Sequence, residues 1–249
     1  MSTDGQLVLP LGLRPQPLLQ HFSTLGKEEA VAAVQQMLSS PGPRCLYLSG
    51  PGGSGKSHLL QGAALAAGPW SPYLDLADWA RHGAAPLVQE ALQSLGSAVL
   101  LCLDGVDAVA GQRPWEELLF ALYNERLQSQ RPLLIAGRLG PRSAPWQLAD
   151  WGSRCSACLH YALHLPDDEQ RLAILQQMVR QRGLFLREDA AYYLLRHWTR
   201  DLGQLEQIIE QLDNQSWARQ RELSIPFIRS CLTAASGQGA HLPEEGASR

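Results

Sequence analysis

The sequence has 249 residues, of which 45% are hydrophobic and 18% are charged, and its formal net charge is -3. This length allows one large domain or two small ones, and the slight negative charge gives no support for general coating of nucleic acids. No apolar run approaches the roughly eighteen residues of a membrane span, and the apolar N-terminal stretch lacks the cationic start of an export signal. We therefore predict a globular, cytoplasmic protein without a membrane partner.

Residues 1–20 are predicted to form an extended tail. The stretch "GQLVLPLGLRPQP" at 5–17 contains five apolar residues and is interrupted by prolines, which disfavour a helix or a central strand. Apolar side chains outside regular structure either pack back on their own domain or fill a pocket of a partner. The residues alone leave both interpretations open.

Short apolar runs alternate with helical patterns between residues 21 and 165. Because the runs lack strong alternation of polar and apolar residues, they favour a parallel sheet that is covered on both faces. We therefore predict an α/β base with a five-stranded parallel sheet. The predicted strands are 45–49, 72–76, 98–104, 132–137 and 159–165, and the clearest helices are 27–38, the one following the loop at 50–57, and the one around 115–122.

After Pro166 the sequence predicts helices and no further strands. Residues 166–233 are expected to form a small helical unit, and the polar residues 234–249 are expected to be disordered. The predicted helices are 167–182, 188–198, 204–218 and 224–232, the last with Ser224 as its N-cap.

The stretch "GPGGSGKS" at 50–57 satisfies the pattern G-x-x-x-x-G-K-[ST] of a phosphate loop. Its glycines let backbone N–H groups turn toward an anion, Lys56 can reach the β- and γ-phosphates, and Ser57 offers a hydroxyl to Mg²⁺. The strand before the loop and the helix after it argue against a chance match of a glycine-rich turn. The nucleotide-binding residues predicted here are Gly50, Pro51, Gly52, Gly53, Ser54, Gly55, Lys56, Ser57 and His58.

Asp104 ends the run "VLLCLD" and is predicted to hold the water shell of Mg²⁺ together with Ser57. The next position, where a fast ATPase of this type usually has a glutamate, is Gly105. We therefore expect tight binding of ATP or ADP with slow turnover, and we expect Asp107 to face elsewhere.

The five cysteines are not expected to form a disulfide framework, since the chain is long and Cys45 and Cys102 lie in predicted core strands. Cys155 and Cys158 form one C-x-x-C, but no second pair provides the four ligands of a structural zinc site. Two buried thiols are the favoured interpretation, with a metal or redox role as the alternative.

The order of strand, phosphate loop, further strands and helical unit resembles the AAA+ ATPases. Within them, "GPGGSGKSHLLQG" is similar to the DnaA replication-initiator family, and the similarity covers residues from about 18 to 233. Only a short polar tail follows, where the initiator has a helix-turn-helix domain. The chain thus resembles the family of regulatory inactivators of DnaA (the Hda family), and the helical unit corresponds to its lid. Further similar stretches are "PWEELLFALYNERLQSQRPLLIAG", "ADWGSRCSA", "LEQIIEQLDNQS" and "LSIPFIRSCL".

The resemblance also implies partners for the N-terminal tail. Members of that family begin with a peptide of the form Q-L-x-L-P-L, which the replication sliding clamp (the β subunit of DNA polymerase III) binds, and this sequence has "QLVLPL" at 6–11. The clamp-binding residues implied are Gln6, Leu7, Leu9, Pro10 and Leu11.

Arg154 matches the arginine that in this family reaches the γ-phosphate of a partner subunit, and a surface arginine is the alternative. Arg200 matches the lid arginine that contacts the nucleotide of its own chain. Arg138 stands where the family usually has an aspartate, so no site role is assigned to it.

The resemblance implies a negative regulator of replication initiation that binds the clamp and stimulates hydrolysis of ATP bound to DnaA. It leaves self-association through AAA+ faces open. The alternatives are a helicase loader or remodelling ATPase that uses its own turnover, and an adaptor in which the nucleotide is structural.

Overall fold

The structure is a computed structural model, and it describes residues 19, 22–39, 44–81, 95–216 and 222–236. The candidate clamp-binding residues at 6–11 lie outside these ranges. Contacts between residues divide the chain into two compact units. The first unit ends at Leu163 and the second begins at His164, and Gly52–Ser54 belong to the second by their contacts. No helix in these ranges is long and apolar enough to cross a membrane.

The first unit is built on a sheet of five parallel strands. These are β1 (Cys45–Ser49), β2 (Tyr73–Asp75), β3 (Leu101–Asp104), β4 (Leu133–Gly137) and β5 (Leu159–Ala162). Their order in the sheet is β2-β3-β4-β1-β5. All residues of β3 and β4 are buried, as expected for the central strands of a covered parallel sheet. The predicted α/β class with a five-stranded parallel sheet is confirmed.

Helices cover both faces of this sheet. Among the described residues of the first unit they are α1 (Glu28–Leu38), α2 (Lys56–Ala67), α3 (Leu76–Arg81), α4 (Arg113–Gln128) and α5 (Ala149–Ala157). Because successive side chains of a strand point to opposite faces, Leu46 and Leu48 pack in one core with α1 and α2, and Tyr47 packs in the other with α4 and α5.

Helix α3 begins at Leu76, which the sequence pattern had assigned to a strand. Asp75 Oδ1 accepts hydrogen bonds from the backbone N–H groups of Ala77 and Asp78 at 2.9 and 3.2 Å. This side chain therefore supplies acceptors for two N–H groups that have no partner in the first turn of the helix. The cap ends β2 one residue earlier than predicted.

The second unit is helical, but it also contains a short sheet. Strand β6 (Phe185–Leu186) pairs in parallel with β7 (Glu222–Leu223), so the prediction that the strands stop after Pro166 was wrong. Two-residue strands are too short to show a periodic pattern. The last helix also continues to Ser236, into the tail predicted from residue 234. The helices are α6 (Asp168–Gln181), α7 (Glu188–His197), α8 (Leu202–Ser216) and α9 (Ile225–Ser236).

Cys45 and Cys158 form a disulfide, with Cα atoms 5.0 Å apart. The expectation of two buried thiols in the C-x-x-C is therefore wrong for Cys158, whereas Cys155 is a free buried cysteine. The reason is the strand register. Leu46 lies opposite Leu159 in the pair β1–β5, so the residues just before them are also neighbours.

Glu116 is fully buried in α4 and holds the chain that leads into α5. Its Oε1 accepts hydrogen bonds from the N–H groups of Gly111 and Gln147 at 2.7 and 3.1 Å, and its Oε2 accepts one from Leu148 at 2.5 Å. Leu148 is the residue that precedes α5. These three donors compensate for the burial of the carboxylate and fix the start of α5.

Replacing Glu116 by Gln should lower the free energy of unfolding by about 2–3 kcal/mol, because the amide NH2 group would face a buried N–H donor. Urea denaturation measures this change. The neighbouring Glu117→Gln is the matched control, since Glu117 is exposed and pairs only with the exposed Arg113 among the described residues, and it should change stability by less than about 0.5 kcal/mol. Equal effects of the two substitutions would contradict the role given to Glu116.

Candidate nucleotide-binding site

The phosphate loop connects β1 to α2 at the carboxyl edge of the sheet. Gly50, Gly53 and Gly55 have φ values of 148°, 79° and 94°, a region that residues with a Cβ rarely adopt. At Gly55 a Cβ would also lie 3.3 Å from Lys27 Nζ and from the ring of Phe22. The glycine spacing in the sequence thus reflects the backbone conformation of the loop, which ends at the N-terminus of α2.

Lys56 is turned into this loop and is only 8% exposed. Its Nζ donates hydrogen bonds to the carbonyl oxygens of Gly50 and Pro51 at 2.7 and 2.9 Å. Burial lowers the pKa of Lys56, and the carboxylates of Asp104 and Asp107 oppose this shift. A cation held among backbone dipoles and two carboxylates matches the charge pattern required to bind a polyphosphate with a divalent cation.

Asp104 lies at the end of β3 and is buried. Its Oδ1 accepts a hydrogen bond from the N–H of Gly105 at 2.8 Å, and its Oδ2 accepts one from the hydroxyl of Tyr73 at 2.7 Å. The hydroxyl of Ser57, at the start of α2, lies beside the same tyrosine oxygen and lowers the pKa of Tyr73, against the raising effect of burial and Asp104. The structure thus links the two residues predicted to serve Mg²⁺ through Tyr73, which the sequence analysis did not identify.

Asp107 faces the same edge of the sheet, so the expectation that it faces elsewhere was wrong. A short 3-10 helix at Val106–Val109 follows Gly105, and Asp107 Oδ1 accepts a hydrogen bond from the N–H of Arg138 at 2.8 Å. Its charge also raises the pKa of Lys56, whereas the charge of Arg138 lowers it. Asp107 and Arg138 therefore belong to the charged surroundings of the loop lysine.

The only two lysines of the sequence, Lys27 and Lys56, both lie at this loop. Lys27 is buried, and its Nζ lies 5.4 Å from the ring centroid of Phe22, whose ring is 5.6 Å from that of His58. Burial lowers the pKa of Lys27. Sequence reasoning missed Phe22 and Lys27 because they precede the loop by more than twenty residues and match no motif.

Arg154 is exposed on α5 and stacks on two aromatic rings of α4. Its guanidinium carbon lies 5.9 Å from the ring centroid of Phe120 and 5.8 Å from that of Tyr123, within the range of cation–π attraction. No carboxylate among the described residues forms an ion pair with it. Because α5 leads to the amino end of β5, Arg154 lies toward the sheet edge opposite the phosphate loop of its own chain.

Arg200 belongs to the second unit, just before α8. Its guanidinium forms an ion pair with Asp168 at 3.0 Å, and both side chains are more than half exposed. Such a pair contributes at most about 1 kcal/mol, so it does not restrain Arg200 strongly.

Comparisons with known proteins agree with this architecture. Residues 168–232 match the family model of the Hda lid domain. Domain III of the Thermotoga maritima replication initiation protein DnaA is 22% identical, with a TM-score of 0.68, over 88% of this chain and 97% of that chain. The AMPPCP-bound DnaA from Aquifex aeolicus is 22% identical, with a TM-score of 0.69, over 83% of this chain and 67% of that chain.

A second group of proteins has a similar fold. The Thermotoga maritima RuvB Holliday junction branch migration motor is 14% identical, with a TM-score of 0.59, over 90% of this chain and 73% of that chain. The sheet order, the phosphate loop and these likenesses give the chain the fold of AAA+ P-loop proteins. Within this fold, residues 168–232 are similar to the Hda lid domain, and the chain is similar in fold to domain III of DnaA.

Gly137, the last residue of β4, permits the contacts that surround Asp107. A Cβ there would lie 2.8 Å from the hydroxyl oxygen of Tyr47 and 3.0 Å from Asp107 Oδ1. We expect Gly137→Ala to lower the free energy of unfolding by about 1–3 kcal/mol, as overpacked sites do. Thermal or urea unfolding provides the measurement.

The matched control is Gly140→Ala, three residues further on. The nearest atom to a Cβ at Gly140 is a His160 ring carbon at 3.6 Å, an ordinary contact distance, and its stability should change little. If Gly137→Ala proves as stable as this control, the close packing around Asp107 is not a constraint.

Proposed function

We propose that this protein regulates DnaA-dependent initiation of DNA replication by promoting hydrolysis of the ATP bound to DnaA. The observation that carries the proposal is the match of residues 168–232 to the Hda lid domain, in a chain whose fold resembles domain III of DnaA. Nucleotide binding, slow turnover, the action of Arg154 and clamp binding are four separate parts of this proposal, each with its own support.

The first part is a bound nucleotide. The loop from Gly50 to His58 would hold the phosphates of ATP or ADP, with Lys56 as the cation and Ser57 and Asp104 at the Mg²⁺ position. The hydroxyl, ammonium and carboxylate groups of these residues suit a polyphosphate with Mg²⁺. The similar structure of DnaA from Aquifex aeolicus contains bound AMPPCP. Mg²⁺ would neutralise phosphate charge there. Arg200 is proposed to contact the nucleotide from the lid, as the resemblance implies.

Slow turnover is the second part. No carboxylate follows Asp104 directly, because the next residue is Gly105, and the carboxylate of Asp107 accepts a hydrogen bond from Arg138. The residue that would orient an attacking water in a fast ATPase is therefore absent from its usual position. The nucleotide would set the conformation of the protein rather than drive repeated cycles.

The third part is Arg154 as a finger that acts on a partner. An exposed guanidinium without an ionic partner among the described residues is available to a phosphate, and its stacking on Phe120 and Tyr123 limits its motion. On the ATP of DnaA it would stabilise the charge that develops during phosphoryl transfer. The side chain stays cationic throughout and exchanges no proton.

The last part is recruitment through the sliding clamp. We propose that Gln6, Leu7, Leu9, Pro10 and Leu11 bind the clamp, which would bring a cytoplasmic protein of net negative charge to replicating DNA. The leucines would enter an apolar pocket of the clamp, and the amide of Gln6 would form hydrogen bonds beside it.

Arg154→Ala should reduce the stimulated hydrolysis of DnaA-bound ATP by a factor on the order of 10³, since arginine fingers contribute about that much to phosphoryl transfer. The assay follows radiolabelled ATP on DnaA in the presence of clamp-loaded DNA and this protein. Arg113→Ala is the control, because Arg113 is another exposed arginine of the same unit and pairs with Glu117.

Unchanged stimulation by Arg154→Ala would exclude the finger. The same assay without DnaA measures the turnover of the protein alone. Rapid hydrolysis there would favour a loader or remodelling ATPase instead.

Removal of residues 1–13 should abolish retention of the protein on immobilised clamp, and Gln6→Ala should weaken it by about tenfold, the cost of one well-placed hydrogen bond. Surface plasmon resonance gives both affinities. Gln20→Ala serves as a control, because it changes a glutamine outside the peptide. Full retention of the truncated protein would show that another surface binds the clamp.

A further inference from the structure

Tyr73 reaches the Mg²⁺ end of the candidate site because of the strand register. In the pair β2–β3, Tyr73 lies opposite Cys102 and Asp75 lies opposite Asp104. Side chains two residues apart share a face of the sheet, and Cys102 Sγ lies 3.4 Å from the carbonyl oxygen of Leu60 in α2. Tyr73 therefore extends along the face that α2 covers, toward the end of β3.

The hydroxyl of Tyr73 joins two groups that belong to different elements. It donates a hydrogen bond to Asp104 Oδ2 at 2.7 Å, and the hydroxyl of Ser57 in the first turn of α2 lies beside it. Because the proton of the Tyr73 hydroxyl is directed to Asp104, Ser57 can only donate to the tyrosine oxygen, and the lone pairs of the serine oxygen are left for a cation. The carboxylate of Asp104 is fixed in turn by Tyr73 on one oxygen and by Gly105 on the other.

We infer that Tyr73 is a positioning residue for the divalent cation: its hydroxyl orients Ser57 and Asp104 for the Mg²⁺ that accompanies a nucleotide. This inference rests on the nucleotide binding proposed above. Tyr73 acts through its two partners and not on the phosphates, so its loss should weaken binding only where Mg²⁺ takes part.

The test compares ATP affinity with Mg²⁺ and with EDTA by isothermal titration calorimetry. In the full-length wild-type chain, Mg²⁺ should tighten ATP binding. In Tyr73→Phe this tightening should shrink by about tenfold, the value of a hydrogen bond to a charged group, while the affinity in EDTA stays unchanged. Tyr193→Phe is the matched control, since it removes a tyrosine hydroxyl on a lid helix, 3.4 Å from Arg229 Nε, and it should behave like the wild type.

A double-mutant cycle provides a second readout. The quantity compared is the Mg²⁺ ratio, which is the ATP affinity with Mg²⁺ divided by the ATP affinity with EDTA. If Tyr73 acts through Ser57, Tyr73→Phe should change this ratio less in a Ser57→Ala background than in the wild type. Additive effects, or a wild-type Mg²⁺ ratio in Tyr73→Phe, would overturn the role of Tyr73. A general packing defect would also overturn it, and it would appear as equal weakening with and without Mg²⁺.

The outcomes for the wild-type chain separate the two proposals. If the wild type binds ATP equally well with Mg²⁺ and with EDTA, the inference on Tyr73 is overturned while nucleotide binding stands. If it binds ATP in neither condition, the proposed nucleotide site is overturned, and the inference with it.

Discussion

The parallel direction of all five strands is the constraint on which the candidate site depends. It brings the carboxyl ends of β1, β3 and β4 to one edge of the sheet, so the phosphate loop, Asp104 and Arg138 meet there although they are far apart in sequence. Lys56 is buried at this edge at a cost in hydration, and the loop carbonyls and two nearby carboxylates offset part of that cost. The charge of Arg138 acts in the opposite direction on Lys56.

Helix α5 is attached to buried parts of the first unit at both of its ends. Glu116 accepts hydrogen bonds from the two residues before the helix, and the disulfide fixes Cys158 directly after it. With both ends attached to buried elements, α5 presents Arg154 from a fixed backbone against the rings of Phe120 and Tyr123. The finger proposed for Arg154 would gain from such attachment, because less conformational freedom would be lost when the guanidinium binds a phosphate.

Local patterns in the sequence predicted the five strands, the phosphate loop and Asp104, because each depends on neighbouring residues. The features that were missed depend on register between distant segments. Tyr73 meets Asp104 only because β2 pairs with β3, and Cys45 meets Cys158 only because β1 pairs with β5. Likewise, Glu116 resembles any helix glutamate in the sequence, and only the packing of α4 against the chain before α5 shows that it is buried. The two-residue strands β6 and β7 left no pattern to recognise.

The disulfide has a topological consequence. Cys45 and Cys158 are separated by 113 residues, and their bond makes the intervening chain a closed covalent ring. The phosphate loop, Asp104 and Arg154 all lie within this ring, whereas the lid residues 168–232 lie outside it. A single peptide-bond cleavage inside the ring would leave one molecule of unchanged composition apart from the added water, and only a reductant would release the pieces. A cleavage between the ring and the lid would break the covalent connection between the two.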